Sequence, residues 1–310
     1  MPDGTATAHL FRPKLATTLS EGYDRVAFQK DVLAALTVAV VALPLSMAIA
    51  VASGVAPERG LYASVVGGFL VSALGGSRYQ IGGPAGAFIV LVAATTERFG
   101  LNGLLLVVLM SGTLLTLVGL SRLGSQIRHI PHAVTVGFTC AIAVTIFSSQ
   151  IRDFAGIHLP GGEPGPLIPK LAALAGAAST VTPAALVVGV SSAATIFCLR
   201  WRWPALPGML IAVTLASVAT ALLGVPIETI GARFGDIPRS LPALRLPDAS
   251  PALLLQLLPT ALSFTLLGGI ESLLSAKVAD GMTGRKHRSN MELVAQGLAN
   301  IASALFGGIS

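Results

Sequence analysis

The chain is poor in charge and in aromatic rings. Of its 310 residues, 11% are Asp, Glu, Lys or Arg and 5% are Phe, Trp or Tyr, whereas 53% are hydrophobic. A water-soluble domain carries about 25% charged residues. The deficit, with a mean hydropathy of +0.79, excludes an ordinary soluble domain and points to a polytopic membrane protein. Ala, Gly, Leu and Val fill the places of the missing rings, as suits helices packed closely through small side chains. No basic stripe interleaved with aromatics is present, so the net charge of +6 is not a nucleic-acid footprint. Cysteine is nearly absent. Cys140 and Cys198 lie in apolar runs with no CxxC or histidine beside them, and read as small buried side chains. There is no catalytic triad, phosphate-binding loop or metal-ligand cluster, which excludes the common enzyme classes, and no cofactor is expected.

What the chain does hold is a series of apolar runs. Residues 1–31 form a polar tail without the short apolar core of a cleaved signal. Val32–Ala52 is long enough to cross the roughly 30 Å hydrocarbon core, with Pro44 expected to kink or break it. Further spans are expected at Leu61–Leu74, Leu101–Leu120, 132–151, Ala184–Leu199, 205–224 and 253–276, with a weak segment near Leu171–Ala178 and a last apolar stretch from Leu293 to Ile309. Placing the tail in the cytoplasm puts Arg122, Arg128, Arg200, Arg202 and the Lys277–Arg288 cluster there too. Arg59, Arg98, Arg152, Lys170 and the loop arginines Arg233, Arg239 and Arg245 then face the other side. The positive-inside rule favours that orientation, a multi-pass inner-membrane protein with a cytoplasmic N-terminus.

One segment breaks the pattern. Between Ser77 and Gly100 the sequence SRYQIGGPAGAFIVLVAATTERFG joins a polar, glycine-rich stretch to an apolar run from Ala85 to Ala94. Ten helical residues cover about 15 Å, half of the apolar thickness. The spacing predicts extended backbone entering from one face, then a half-helix starting at Pro84 near the midplane. Irregular backbone at that depth requires protein or a water-filled cavity around it. Proline suits a first helical position. The amides of Ala85, Gly86 and Ala87 would then lack helical partners and could hold an anion. The plainer alternative is a tight loop before an ordinary helix start. An echo of VSALGG (71–76) in ASALFGGIS (302–310) fits transporters with broken helices at matching points of inverted repeats, and predicts a second half-helix just past Ser310.

Glu271 lies well inside the run LLGGIESLLSA. A carboxylate there is costly unless paired, hydrated or protonated. Ser275, four residues on, shares its helical face. The pair reads as a coupling site, taking up a proton or helping to coordinate sodium, or else as a structural acid serving a neighbouring broken helix. Ser46, beside Pro44, is a further cavity candidate. Asp280 and the GRKHR run read as a solvated turn.

At these residues the chain resembles a family. ALPLSMAIAVASGVAPERGLYASVVGGFLVSALGG resembles the opening signature of the SulP anion transporters (solute carrier family 26), and IGGPAGAFIVLV their third transmembrane segment. PHAVTVGFTCAIAVTIFSSQI is similar to their fifth segment. LLGGIESLLSAKVADGMTGRKHRSNMELVAQGLANIASALFGG is similar to their eighth and ninth. The resemblance implies an all-α fold of fourteen segments in two inverted repeats of seven, shared with uracil transporters. The third segment would be discontinuous, a short strand plus a half-helix. It further implies an anion between two facing half-helices, which places Gly83, Pro84, Ala85, Gly86, Ala87 and Phe88 at the first of them, Ser46 on the cavity wall, and Glu271 and Ser275 at ion-coupling positions. The first repeat would span about 32–224 and the second begin at about 253–310. Ending at Ser310, after about nine segments, the chain would lack the second half-helix and the cytoplasmic STAS domain. The expected function is secondary transport of a small anion such as sulfate, bicarbonate or a dicarboxylate, coupled to protons or sodium, by a homodimer in the full-length protein. The alternatives are an uncoupled channel or exchanger on the same scaffold, and a fragment that does not transport.

Overall fold

The computed structural model describes residues 9–129, 132–159, 164, 166–204, 206–229, 231–232, 235 and 240–310. Arg233, Arg239 and the side chain of Arg128 lie outside the described residues. All regular structure among the described residues is helical. The chain divides into two compact units, one of Met1–Tyr23, Ser46–Phe138 and Pro238–Ser310, the other of Asp24–Leu45 and Thr139–Ile237.

The N-terminal tail is not featureless. It holds a helix, α1 (Lys14–Ser20), and α2 (Arg25–Ala52) starts seven residues before the expected span. Pro44 does not break α2, which runs through it. α3 (Glu58–Tyr62), a π-helical turn (Ala63–Gly67) and α4 (Gly68–Leu74) follow one another without a gap. A non-helical stretch, 75–85, leads to a 3-10 turn (Gly86–Phe88) and α5 (Ile89–Leu120). α5 is interrupted at Gly100, whose φ of 67° and ψ of −177° are left-handed backbone open mainly to glycine. The break separates a helical piece at 86–99 from the span expected at Leu101–Leu120.

The remaining helices are α6 (His132–Ala155), α7 (Leu167–Gly176), α8 (Pro183–Arg202), α9 (Gly208–Leu223), α10 (Pro251–Thr283) and α11 (Ser289–Leu305). Their ends follow local chemistry. Pro183 and Pro251 open α8 and α10, where a missing N–H costs nothing. The Ser250 hydroxyl caps α10 by accepting from the Leu253 amide at 3.3 Å, and the left-handed glycines 224 and 284 close α9 and α10. Among the described residues, Arg25–Ala52, Gly86–Leu120, Pro183–Arg202 and Pro251–Thr283 are long and apolar enough to cross a membrane.

In the first unit α11 packs most extensively on α5. A Cβ on Gly112 would fall 2.6 Å from the Gly297 carbonyl oxygen, so the two backbones meet where only glycine fits. Beside this seam Phe88, Val92, Leu104, Val107, Leu257 and Phe264 form the apolar core. In the second unit α8 and α9 pack on each other. Cys140 and Cys198 are exposed on α6 and α8, contrary to the buried placement expected. In a chain whose surroundings are apolar, a small apolar side chain gains nothing by turning inward. Asp280 is likewise no free turn residue: it sits in the last turn of α10 and accepts from the His287 amide at 3.1 Å.

Candidate functional site

The stretch 75–85 has no helix or strand partner, so its backbone groups must be satisfied one by one. The short strand expected here is absent among the described residues. Side chains and helix ends take its place. The Gly75 carbonyl accepts from the Lys14 amide at 2.9 Å and the Gly76 carbonyl from the Arg288 amide at 2.8 Å. The Ser77 amide donates to Glu292 Oε2 at 2.9 Å. Glu292 is fully buried in the first turn of α11, and Ser272 Oγ of α10 stands 3.5 Å from its other oxygen. Sequence reasoning passed over this acid. The only signal for it was a carboxylate in the first turn of an otherwise uncharged helix.

Further along, the chain lies against the π-helical turn. A Cβ on Gly83 would sit 3.3 Å from Ser64 Oγ, and Ser64 Oγ hydrogen-bonds Ser46 Oγ. Ser46 and Gly83 are therefore brought together through Ser64, a residue that sequence reasoning did not select. An α-helix through Ala63–Gly67 would turn Ser64 differently; the π-turn sets its direction, as such turns often do at functional sites. Gly83 also lines a crevice of about 10 Å³ with Asn300, Ser303 and Ser310, space for a single water.

The helix starts two residues later than expected. Ala85 is extended (φ −112°, ψ 139°) and occupies the N-cap, so Pro84 is not its first residue. The physical reason is the local bond: the Phe88 amide donates to the Ala85 carbonyl at 3.0 Å, which makes Ala85 the first acceptor. Alanine has no side-chain acceptor, and this N-terminus has no side-chain cap. The Gly86 and Ala87 amides, one and two positions on, are the orphan donors. A Cβ at Gly86 would meet nothing within 4 Å, so space remains beside them.

Phe88 anchors this helix start. Its ring is buried and tilted at 56° to Phe264, with centroids 5.3 Å apart. Its Cζ lies 3.3 Å from a Cβ placed on Gly268 of α10. Glu271 is three residues past Gly268, about 4.5 Å along the axis, which places it within one turn of the Phe88 contact. Glu271 is half-buried. Ser275 is exposed, and no hydrogen bond joins the two.

The sulfate permease family model matches residues 28–310. The chain belongs to that family. The protein is 42% identical over 290 residues to YvdB of Bacillus subtilis (strain 168), a candidate sulfate transporter, the match covering 93% of this chain and 54% of YvdB. It is 32% identical over 290 residues to the bicarbonate transporter BicA of Picosynechococcus sp. (strain ATCC 27264 / PCC 7002 / PR-6), covering 90% of this chain and 51% of BicA. The chain thus spans about half the length of these relatives. Among solved structures, the transmembrane domain of a cyanobacterial BicA aligns at a TM-score of 0.67 and 31% identity, over 92% of this chain and 74% of that one. The murine anion transporter Slc26a9, in its inward-facing state, aligns at 0.72 and 17% over 100% of this chain and 55% of its own; the second likeness concerns the fold alone. These relatives are named as transporters, not enzymes, and the family places the chain in a membrane.

Proposed function

We propose that this chain forms part of a secondary transporter for a small oxyanion, sulfate or bicarbonate in class, and that the helix start at Gly86 holds the anion. The uncapped N-terminus carries the reading: Ala85 sits where Ser, Thr, Asp or Asn is strongly preferred. Two orphan amides at the positive end of the helix, beside a Gly86 whose Cβ position is open, suit an anion. Gly83 and Pro84 set the approach, Ser46 and Ser64 supply hydroxyls behind it, and Phe88 fixes the helix to α10. The helical piece from Gly86 to the Gly100 break acts as a half-helix, the discontinuous third segment of a seven-plus-seven inverted repeat. Gly83 and Ser310 share one crevice, which supports a second helix start opposite the first. Glu271, one turn from the Phe88 contact, is the coupling acid for sodium or protons. The protein sits in the inner membrane with its N-terminus in the cytoplasm, and the full-length protein works as a homodimer.

Ala85→Asp tests this reading. The introduced carboxylate would accept from the Ala87 amide and fill the place of the anion. The protein without anion should melt at an equal or higher temperature, while the rise in melting temperature caused by sulfate or bicarbonate disappears. An anion-dependent rise that persists in Ala85→Asp would overturn the proposal.

A further inference from the structure

A second cluster of charge lies away from the helix start, where α1, the stretch 77–79 and the α10–α11 turn meet. There a cavity of about 300 Å³ is lined by Lys14, Arg78, Arg285 and Lys286 against Glu21 and Asp280. That volume is at the lower end of the range for small-molecule sites. The two acids do not neutralise the four cations. Asp280 is taken up by His287, whose ring Nδ1 lies 2.6 Å from Oδ2. Glu21 pairs with Arg78 at 2.5 Å and stands 4.0 Å from Arg285. Among the described residues, the Lys14 and Lys286 amines have no ion-pair partner. Burial, then the charges of Arg288 and Arg78, pull the Lys14 amine below the usual lysine range. An anion in the cavity would relieve that crowding.

We propose that this cavity is a binding site for a phosphate ester, either a glycerophospholipid headgroup or a soluble phosphate monoester. Two arginines and two lysines converging on one cavity match a tetrahedral oxyanion, the arginines by paired N–H groups and the lysines as point charges. The cavity exceeds the size of a bare inorganic ion and accommodates a glycerophosphate. The wall formed by Ser77, Arg78 and Tyr79 belongs to the same non-helical stretch that ends at the Gly86 helix start, so an occupant fixes the lead into that helix. Ser77 is already tied on its far side by Glu292. The ligand thus completes the fastening of a segment that has no secondary-structure partner.

The test uses the full chain in neutral detergent, titrated with dihexanoyl phosphatidylglycerol, dihexanoyl phosphatidylcholine and glycerol 3-phosphate at matched ionic strength. The melting temperature should rise with phosphatidylglycerol, with glycerol phosphate or with both, and not with phosphatidylcholine or sodium chloride. A rise with phosphatidylglycerol alone identifies a lipid headgroup, and an equal rise with glycerol phosphate a soluble ester. In the Lys14→Gln/Lys286→Gln double variant the midpoint concentration should increase about tenfold or more. The ligand-free melting temperature should be equal or higher, since among the described residues neither amine has an ion-pair partner and the variant relieves the crowding of the Lys14 charge. The response should persist in Ala85→Asp, whose helix start is blocked. A response no larger than that to sodium chloride, an unshifted midpoint in the double variant, or loss of the response in Ala85→Asp would each overturn the site.

Discussion

Glu292 accepts the Ser77 amide at 2.9 Å, joining positions 215 residues apart in sequence. The bond ties the first turn of α11 to the stretch that precedes the Gly86 helix start. Replacing Glu292 by Ala would strand buried donors at a cost of about 3 kcal/mol. Glu292→Gln, which keeps one acceptor, should cost less than half of that. Thermal unfolding of the two variants in detergent checks the order, and an equal loss in both would deny the bond its role.

The seam between α5 and α11 makes a sharper demand. A Cβ on Gly112 would lie 2.6 Å from the Gly297 carbonyl oxygen and 2.8 Å from the Ile301 amide. Gly112→Leu should therefore separate the helices and cost about 3 kcal/mol or more. Gly137→Ala, inside α6 at a position with open space around it, is the control and should not destabilise, since Ala is favoured over Gly in a helix by about 0.5–1 kcal/mol.

Under the proposed function, Glu271 is the residue whose replacement separates coupled from uncoupled transport. In Glu271→Gln, uptake driven by a sodium or proton gradient should fall about tenfold or more, because an interaction needed only for coupling is lost. The stabilisation by added anion should remain, since Gly86 and Ala87 are untouched. Unchanged uptake in proteoliposomes would instead mark an uncoupled carrier. Repeating the assay with sodium replaced by choline distinguishes the two coupling ions.

The Arg78–Glu21 pair gives an acid limb to stability. The Arg78 hydrogen bond holds the Glu21 carboxyl below its ordinary value of 4.5. A lowered folded-state value means the contribution is present above pH about 4.5 and is lost as pH falls through the lower, folded value. Glu21 is exposed, so the effect is small. The parent and Glu21→Gln should differ slightly in melting temperature at pH 7, and the difference should shrink as the pH is taken down through the ordinary carboxylate range and below it.

Much of this architecture is legible in the sequence because the bilayer imposes lengths. The apolar runs locate α2, α8, α9 and α10, and the division before Leu101 coincides with the break at Gly100. Proline's preference for a first helical position points to a start at Pro84, two residues early, because that preference does not show which carbonyl accepts the first helical bond. The partners of 75–85 were not legible. Lys14, Arg288 and Glu292 lie far away in sequence, and no local pattern shows which distant group will satisfy an isolated amide. Burial of Cys140 and Cys198 was misjudged for a different reason, since the rule that sends small apolar side chains inward comes from proteins surrounded by water. Ser64 escaped because α-helical periodicity does not hold across a π-turn.

That turn also sets the phase of the continuous helical run around it. A π-turn inserts one residue into a helix, so everything before it is rotated by about 100° from where an uninterrupted helix would carry it. Arg59, which donates to the Gly307 carbonyl at 2.9 Å, lies on one side of the insertion, and Gly68, beside the Gly82 carbonyl at 3.0 Å from a Cβ, lies on the other. The two contacts are in register only because the extra residue is there. Ala63–Gly67 acts as a gear tooth: deleting one residue would leave both neighbouring helices intact and allow one contact or the other, never both.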